Sequence, residues 1–175
     1  MSGPLYRAEV PSPVGRLTLL SDEKALLGLW LEGQKYFLGR YADSFAVQRE
    51  TPILAQAIRW LGRYFHGEKP SPVELPLAPE GTAFQRRVWR QLLTIPYGGT
   101  VTYGDIAEAL RSAPRAVGSA VGKNPLSIIV PCHRVLGAGG SLTGYAGGVE
   151  RKTALLRLEG VDDSKLSKPT RGTAL

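Results

Sequence analysis

The chain predicts an α/β (α+β) protein in two parts. A small antiparallel sheet with one helix occupies residues 1–78, a mostly helical part with a helix-turn-helix occupies 79–160, and 161–175 reads as a disordered tail. Three observations carry this reading. Apolar residues alternate with a period of two near the N-terminus and recur at helical spacing from residue 51 onward. A tract dense in proline separates the halves.

Tyr6, Ala8 and Val10 alternate with polar neighbours, Leu17 and Leu19 follow, and Ser21-Asp22-Glu23-Lys24 makes a turn before Leu27, Leu29 and Leu31. That is the pattern of antiparallel strands. Thr51-Pro52 is an N-cap with proline in the first turn; Leu54, Ile58, Leu61 and Phe65 form a stripe, and Gly67 ends the helix. His66 beside that end is a capping or surface histidine. From Lys69 to Glu80, Pro70, Pro72, Pro76 and Pro79 forbid both helix and central strand, so the tract reads as a semi-rigid linker.

In the second half Thr82 caps a helix with Phe84, Val88 and Leu92 inward, widened by Trp89 and Leu93, while Arg86, Arg87 and Arg90 face outward. After the turn Pro96-Tyr97-Gly98-Gly99 comes Thr102-Tyr103-Gly104-Asp105, a capping box ahead of Ile106, Ala109 and Leu110. A break at Arg111 to Pro114 leads to a second helix with a narrow face of Ala116, Val117, Ala120 and Val121, closed by Gly122. Two short helices with a tight joint, Arg115 opening the second, make a helix-turn-helix candidate. Ile128, Ile129 and Val130 suit a buried strand that Pro131 terminates. A glycine-rich loop from Gly137 to Gly148, interrupted by Tyr145, precedes a last helix from Val149 to Glu159, packed through Leu155, Leu156 and Leu158 and stopped by Gly160.

An apolar share of 43% with 21% charged is ordinary for a soluble protein. No apolar run reaches the roughly 18 residues of a membrane span, and the N-terminus lacks the apolar core of a secretion signal. The single cysteine excludes an internal disulfide and fits a reducing cytoplasm. With His66 and His133 as the two histidines, a structural metal is not expected. The net charge of +7 is uneven: residues 1–78 carry 9 basic and 8 acidic side chains, residues 79–160 carry 10 and 5. A polyanionic partner for the second half is a reasonable inference.

The chemistry-bearing stretch is Pro131-Cys132-His133-Arg134-Val135. A lone cysteine is often a small core hydrophobe. Followed by histidine, it is also a candidate nucleophile beside its base, provided the chain turns sharply, because neighbours on a strand point to opposite faces. Pro131 encourages such a turn. The string resembles the active-site signature of the O6-alkylguanine-DNA alkyltransferases, and the resemblance covers residues 82–160 densely and the first half in layout.

That resemblance implies a ribonuclease H-like layout for the first half and a winged-helix-like second half. It implies direct reversal of DNA damage: irreversible, stoichiometric transfer of the alkyl group of O6-alkylguanine, and with it O4-alkylthymine, from double-stranded DNA to Cys132. It makes His133 the proton relay, Glu159 the carboxylate orienting it, Asn124 the hinge asparagine, Tyr103 the helix-turn-helix tyrosine and Arg115 the finger that replaces the flipped nucleotide. Ala116, Gly118, Ser119 and Ala120 would permit close approach to the minor groove. Tyr145, Ala146 and Lys152 would fall on or after the substrate loop, and the carbonyls of Cys132 and Val135 would face the guanine amine. No cofactor is implied, and a monomer binding DNA with salt dependence and little sequence preference is expected. Ala146 stands where some relatives have serine and Ser127 where some have proline, which leaves tolerance of bulky alkyl groups open.

The chemistry agrees. Displacement at carbon suits a thiolate, and lowering its pKa from about 8.5 to near 6 would contribute roughly 2 kcal/mol at pH 7. The thioether product has no carbonyl for water to attack, so Cys132 is spent in one event. A cysteine hydrolase would turn over, a winged-helix regulator would bind a sequence without needing Cys132, and non-catalytic relatives lack the cysteine.

Overall fold

The structure, a computed structural model, describes residues 3–168. The chain forms two compact units, one made of residues up to Glu80 with Pro125–Ile129, the other of Gly81–Asn124 with residues from Val130 onward.

In the first unit β1 (Tyr6–Val10), β2 (Leu17–Ser21) and β3 (Leu26–Leu31) pair antiparallel, in a register that sets Ala8 against Leu19 and Leu19 against Leu29. A two-residue strand, β4 (Val47–Gln48), pairs parallel to β1, so the sheet is mixed, with order β3-β2-β1-β4. Two residues give no readable period, which is why β4 escapes the sequence pattern. β2 and β3 are buried on both faces rather than one. Trp30, on β3, lies across Gly28, where any Cβ would collide with the indole.

α1 (Pro52–Phe65) packs on β1, β2 and β3 through Leu54, Ala57, Trp60, Leu61 and Tyr64. Thr51 caps it by accepting from the Leu54 N–H, and Gly67 follows its end at φ 84°, a conformation that suits glycine. His66 is its C-cap residue.

The proline tract is not a free linker. Ser71 and Glu74 form a capping box around a short 3-10 turn, Trp60 Nε1 donates to the Ser71 carbonyl, and Leu26 N–H donates to the Pro76 carbonyl while Ala78 N–H donates back to Leu26. Proline lacks a donor but keeps its acceptor, so Pro76 can dock on a strand that supplies the N–H.

In the second unit α2 (Ala83–Leu92) begins at a Thr82–Gln85 capping box and buries Val88, Trp89 and Leu92. Phe84 is half-buried and Leu93 exposed, because the helix ends at Leu92 and Leu93 lies past the stripe. β5 (Val101–Thr102) leads into α3 (Tyr103–Leu110), capped reciprocally by Thr102 and Asp105. α3 buries Ile106 and Ala107, leaving Ala109 outside. Arg111 turns the chain at φ 53°, and Pro114 opens α4 (Pro114–Gly122). α4 buries Val117, Ala120 and Val121 and exposes Ala116; Trp89 Nε1 donates to the Ala120 carbonyl at 2.8 Å, tying α2 to α4. β6 (Val135–Leu136) pairs parallel to β5, and α5 (Val149–Leu158) buries Lys152, Leu155 and Leu156, with Leu158 turned to solvent.

The tail is ordered as far as it is described. Val161 joins a cluster with Leu136, Leu142 and Leu156, and Leu142 N–H donates to the Ser167 carbonyl while Ser167 N–H donates to Gly140. Two apolar side chains, Val161 and Leu166, and a few strand-like bonds dock residues 161–168; the rest of the expected tail lies outside the described residues.

Candidate active site

Ile128, Ile129 and Val130 are buried but do not form a strand. Ile129 N–H bonds the Ser127 carbonyl around Ile128 at φ 72°, and Cys132 N–H bonds the Val130 carbonyl around Pro131 at φ −81°, ψ 67°. These are tight γ-turns, the first in the strained left-handed region and the second with values that a proline ring favours. Composition alone cannot separate a short buried strand from a buried chain folded on itself. The second turn delivers Cys132 into a 3-10 turn, Cys132–Arg134, which removes the strand's opposite-face problem for Cys132 and His133.

Asn124, buried past the end of α4, holds this bend: its Nδ2 donates to the Val130 carbonyl at 2.8 Å. It also hydrogen-bonds to the Cys132 thiol, which lowers the thiol pKa, as does the charge of Lys152. Burial outweighs both and pushes the thiol up. Cys132 is 6% exposed, and this upward direction is opposite to the lowered value weighed from the sequence. Dehydration of the anion is the reason.

His133 is fully buried, and its Nε2 lies 2.6 Å from Glu159 Oε2. Burial lowers its pKa, with help from the charges of Arg134 and Lys152, against the opposing pull of Glu159. A neutral imidazole donates through Nε2, and among the described residues Nδ1 has no hydrogen-bond partner. Burial alone would raise the Glu159 carboxyl; the hydrogen bonds and charges of His133 and Arg134 overcome it and hold it at about 2. Glu159 is the C-cap residue of α5, so the end of the last helix fixes its position.

Arg134 is the participant the sequence reading gave no role. Its Nε and Nη2 meet Glu159 Oε1 and Oε2 at 2.6 and 3.1 Å, its Nη1 donates to the Ile95 carbonyl at 2.7 Å, and its guanidinium lies over the Tyr97 ring. An arginine only 8% exposed needs a buried anion, but that burial is not written in the local sequence.

A second group surrounds the thiol. Tyr103, first residue of α3, donates its hydroxyl to the Thr143 and Gly144 carbonyls at 3.1 and 3.3 Å, and burial raises its pKa. Lys152 Nζ donates to the same Thr143 carbonyl at 2.9 Å; burial lowers its pKa to about 8. Tyr145 is buried, and among the described residues its hydroxyl has no partner. Burial and the nearby Cys132 and Glu159 keep that phenol protonated. Val135 is buried in β6 with its N–H on the Cys132 carbonyl, and Ala146 is half-buried.

On α4 the expected contact residues divide. Arg115, Ala116 and Ser119 are exposed, and Gly118 lies against the Tyr103 ring, 3.9 Å from where its Cβ would be. Ala120 does not share that face: it is buried, with its carbonyl taken by Trp89. Ala120 falls on the buried stripe of α4, three positions after Val117 and next to Val121.

Geometry thus defines a class, a helix-turn-helix unit carrying a buried thiol next in sequence to a buried imidazole that is hydrogen-bonded to a carboxylate. The comparisons narrow it. Residues 83–161 match the family model described as 6-O-methylguanine DNA methyltransferase, DNA binding domain, and residues 5–79 match its ribonuclease-like domain. The methylated-DNA–protein-cysteine methyltransferase of Haemophilus influenzae is 45% identical over 157 residues, covering 89% of this chain and 86% of that protein. The protein of that name from Mycolicibacterium paratuberculosis is 48% identical, covering 88% and 91%. The crystal structure of Mycobacterium tuberculosis OGT in complex with DNA superposes with a TM-score of 0.79 at 43% identity, covering 92% of this chain and 94% of that one. The chain belongs to the 6-O-methylguanine DNA methyltransferase family.

Proposed function

We propose that the protein repairs double-stranded DNA by moving the alkyl group of O6-alkylguanine, and of O4-alkylthymine, onto Cys132, once per molecule. The observation that carries the reading is a buried thiol in the same 3-10 turn as a buried imidazole whose Nε2 is committed to a carboxylate at 2.6 Å.

The target oxygen is stacked inside the duplex, so the nucleotide is rotated out to reach the buried sulfur. Arg115, exposed in the first turn of α4, fills the gap from the minor groove, and Gly118 and Ser119 on the same helix allow close approach. Attraction for phosphates is salt-dependent and nearly blind to sequence. One protein monomer serves each lesion.

In the chemical step His133 Nδ1 takes the Cys132 proton through a water, and the resulting imidazolium is stabilised by Glu159 as in other carboxylate-oriented histidines. The sulfur lone pair attacks the alkyl carbon, the carbon–oxygen bond breaks, and its electron pair stays on the base. Tyr103, kept protonated by burial, donates to the base as that charge develops, which requires its hydroxyl to leave the Thr143 and Gly144 carbonyls. Lys152, on the Thr143 carbonyl, and the buried Tyr145 shape the pocket. The first unit serves as scaffold and the second carries DNA binding and chemistry, in a reducing cytoplasm that keeps the thiol free.

The test is stoichiometry. Protein mixed with excess duplex containing labelled O6-methylguanine should take up about one methyl per molecule and then stop. Continued release of label to solvent, or label on a Cys132→Ala variant, overturns the reading.

A further inference from the structure

The groove at the start of α1, lined by Tyr6, Arg49 and Thr51, is also edged by Asp22, Glu23 and Glu50 and selects no ligand. The exposed arginines of α2 are a solvated face with one of them, Arg87, already on the Leu110 carbonyl. Arg134 is different, because every nitrogen it carries is aimed at something, and the aim has a chemical consequence.

We propose that Arg134 is a positioning residue for alkyl transfer: its fork on Glu159 fixes which nitrogen of His133 carries the proton, leaving Nδ1 as the open base. The inference rests on the alkyl-transfer reading above. Glu159 Oε2 lies 2.6 Å from His133 Nε2, so one proton lies between them and belongs to one or the other. If it sat on the carboxyl, the imidazole would carry its own proton on Nδ1 and could not accept the thiol proton there. The Arg134 Nε contact of 2.6 Å on Oε1 and Nη2 contact of 3.1 Å on Oε2 decide the matter, since both are donors and require a bare carboxylate. Only a planar fork does this; a lysine ammonium supplies the charge without the two-point alignment.

The fork is itself held. Nη1 on the Ile95 carbonyl at 2.7 Å and the Tyr97 ring at 5.7 Å leave the guanidinium no alternative pose. Arg134 also balances charge. With it, neutral His133 and anionic Glu159 form a neutral set; without it, the buried pair has one negative charge and recruits a proton onto His133. A protonated imidazole cannot accept the thiol proton, so the base is lost until the pH rises enough to strip it. Other groups facing the pair are Lys152 from α5, the Cys132 thiol, and the phenols of Tyr97 and Tyr145. Lys152 titrates at about 8 and the phenols above their ordinary range, so the acid limb reports the imidazole.

The experiment measures single-turnover transfer of labelled methyl from duplex to wild type, Arg134→Met and Arg134→Lys across the pH range. The expected result for Arg134→Met is an acid limb moved up by about one pH unit, so about tenfold slower transfer on the acid side, with recovery at alkaline pH. Arg134→Lys restores part of that shift. A uniform loss at every pH, with the limb unmoved, overturns the positioning role while leaving the repair reading intact; no label on wild type overturns the repair reading first. Nitrogen NMR of wild-type His133 at neutral pH needs no variant: Nε2–H with bare Nδ1 is expected, and the opposite tautomer or an imidazolium overturns the proposal.

Discussion

His133 and Glu159, 26 positions apart in the chain, are joined by a contact of 2.6 Å between atoms that are fully shielded from solvent. The C-cap position of α5 and the 3-10 turn after Pro131 bring them together, so the pair couples the end of one element to the start of another.

The first prediction concerns that contact. Glu159→Gln keeps an acceptor for Nε2 but loses the charge that stabilises the imidazolium, and alkyl transfer should fall about a hundredfold. Glu159→Ala also strands the Arg134 guanidinium in the interior and should cost about 3–5 kcal/mol of stability in urea unfolding.

Stability should depend on pH in a defined window. The Glu159 carboxyl has an ordinary value of 4.5 and sits at about 2 in the folded protein, where burial is overcome by His133 and Arg134. The unfolded chain therefore takes up its proton first as pH falls, so this stabilisation, on the order of 3 kcal/mol, is present above about 4.5 and lost on the way down to about 2. His133 acts in the same direction from its ordinary 6.5 downward, because burial disfavours its charged form in the folded state. Urea midpoints measured from neutral to acid pH should fall steeply, and less steeply in Glu159→Gln.

Asn124→Ala removes the donor from the Val130 carbonyl and the hydrogen bond to the Cys132 thiol. The lost bond to a buried carbonyl should cost about 1–3 kcal/mol. The thiol should also react with iodoacetamide only at more alkaline pH than in wild type.

How far the chain announces its own structure differs from element to element. Caps were legible because they are local: Thr51, Thr82 and Thr102 each accept the bond their sequence position implies. The meeting of His133 with Glu159, 26 positions on, was legible only through the family resemblance, because no local pattern joins them. The apolar run Ile128–Val130 was misread as a strand because its turns depend on Asn124 reaching the Val130 carbonyl and on φ 72° at a β-branched residue, which propensity argues against. Arg134 was missed because its partners, Ile95 and Glu159, lie 39 and 25 positions away in opposite directions. The exposure of Leu93 and Leu158 reflects phase errors at helix ends, where one residue rotates the stripe by 100°, whereas the burial of Ala120 follows the face it shares with Val117 and Val121 and departs only from the groove contact that the resemblance implies.

Lys152 should trade stability for activity. It is buried as a cation, with a pKa lowered to about 8 by burial, so below that pH the dehydration penalty is fully present in the folded state and is relieved only as pH rises from there toward 10.5. Lys152→Met should raise the melting temperature by about 4 °C near neutral pH, by calorimetry, while slowing alkyl transfer.

Arg115 is exposed at the start of α4, whereas His133 and Glu159 are buried. Arg115→Ala should therefore slow repair of duplex DNA far more than reaction with free O6-benzylguanine, which needs no base rotation. Equal losses on both substrates would contradict a finger role.

The most direct measurement is peptide mass mapping of the protein after reaction with duplex O6-methylguanine. A single added methyl group on the peptide containing Cys132, absent from a Cys132→Ser variant, is the predicted result. Methylation at any other residue, or an unmodified Cys132 in protein that has repaired its DNA, would contradict the account.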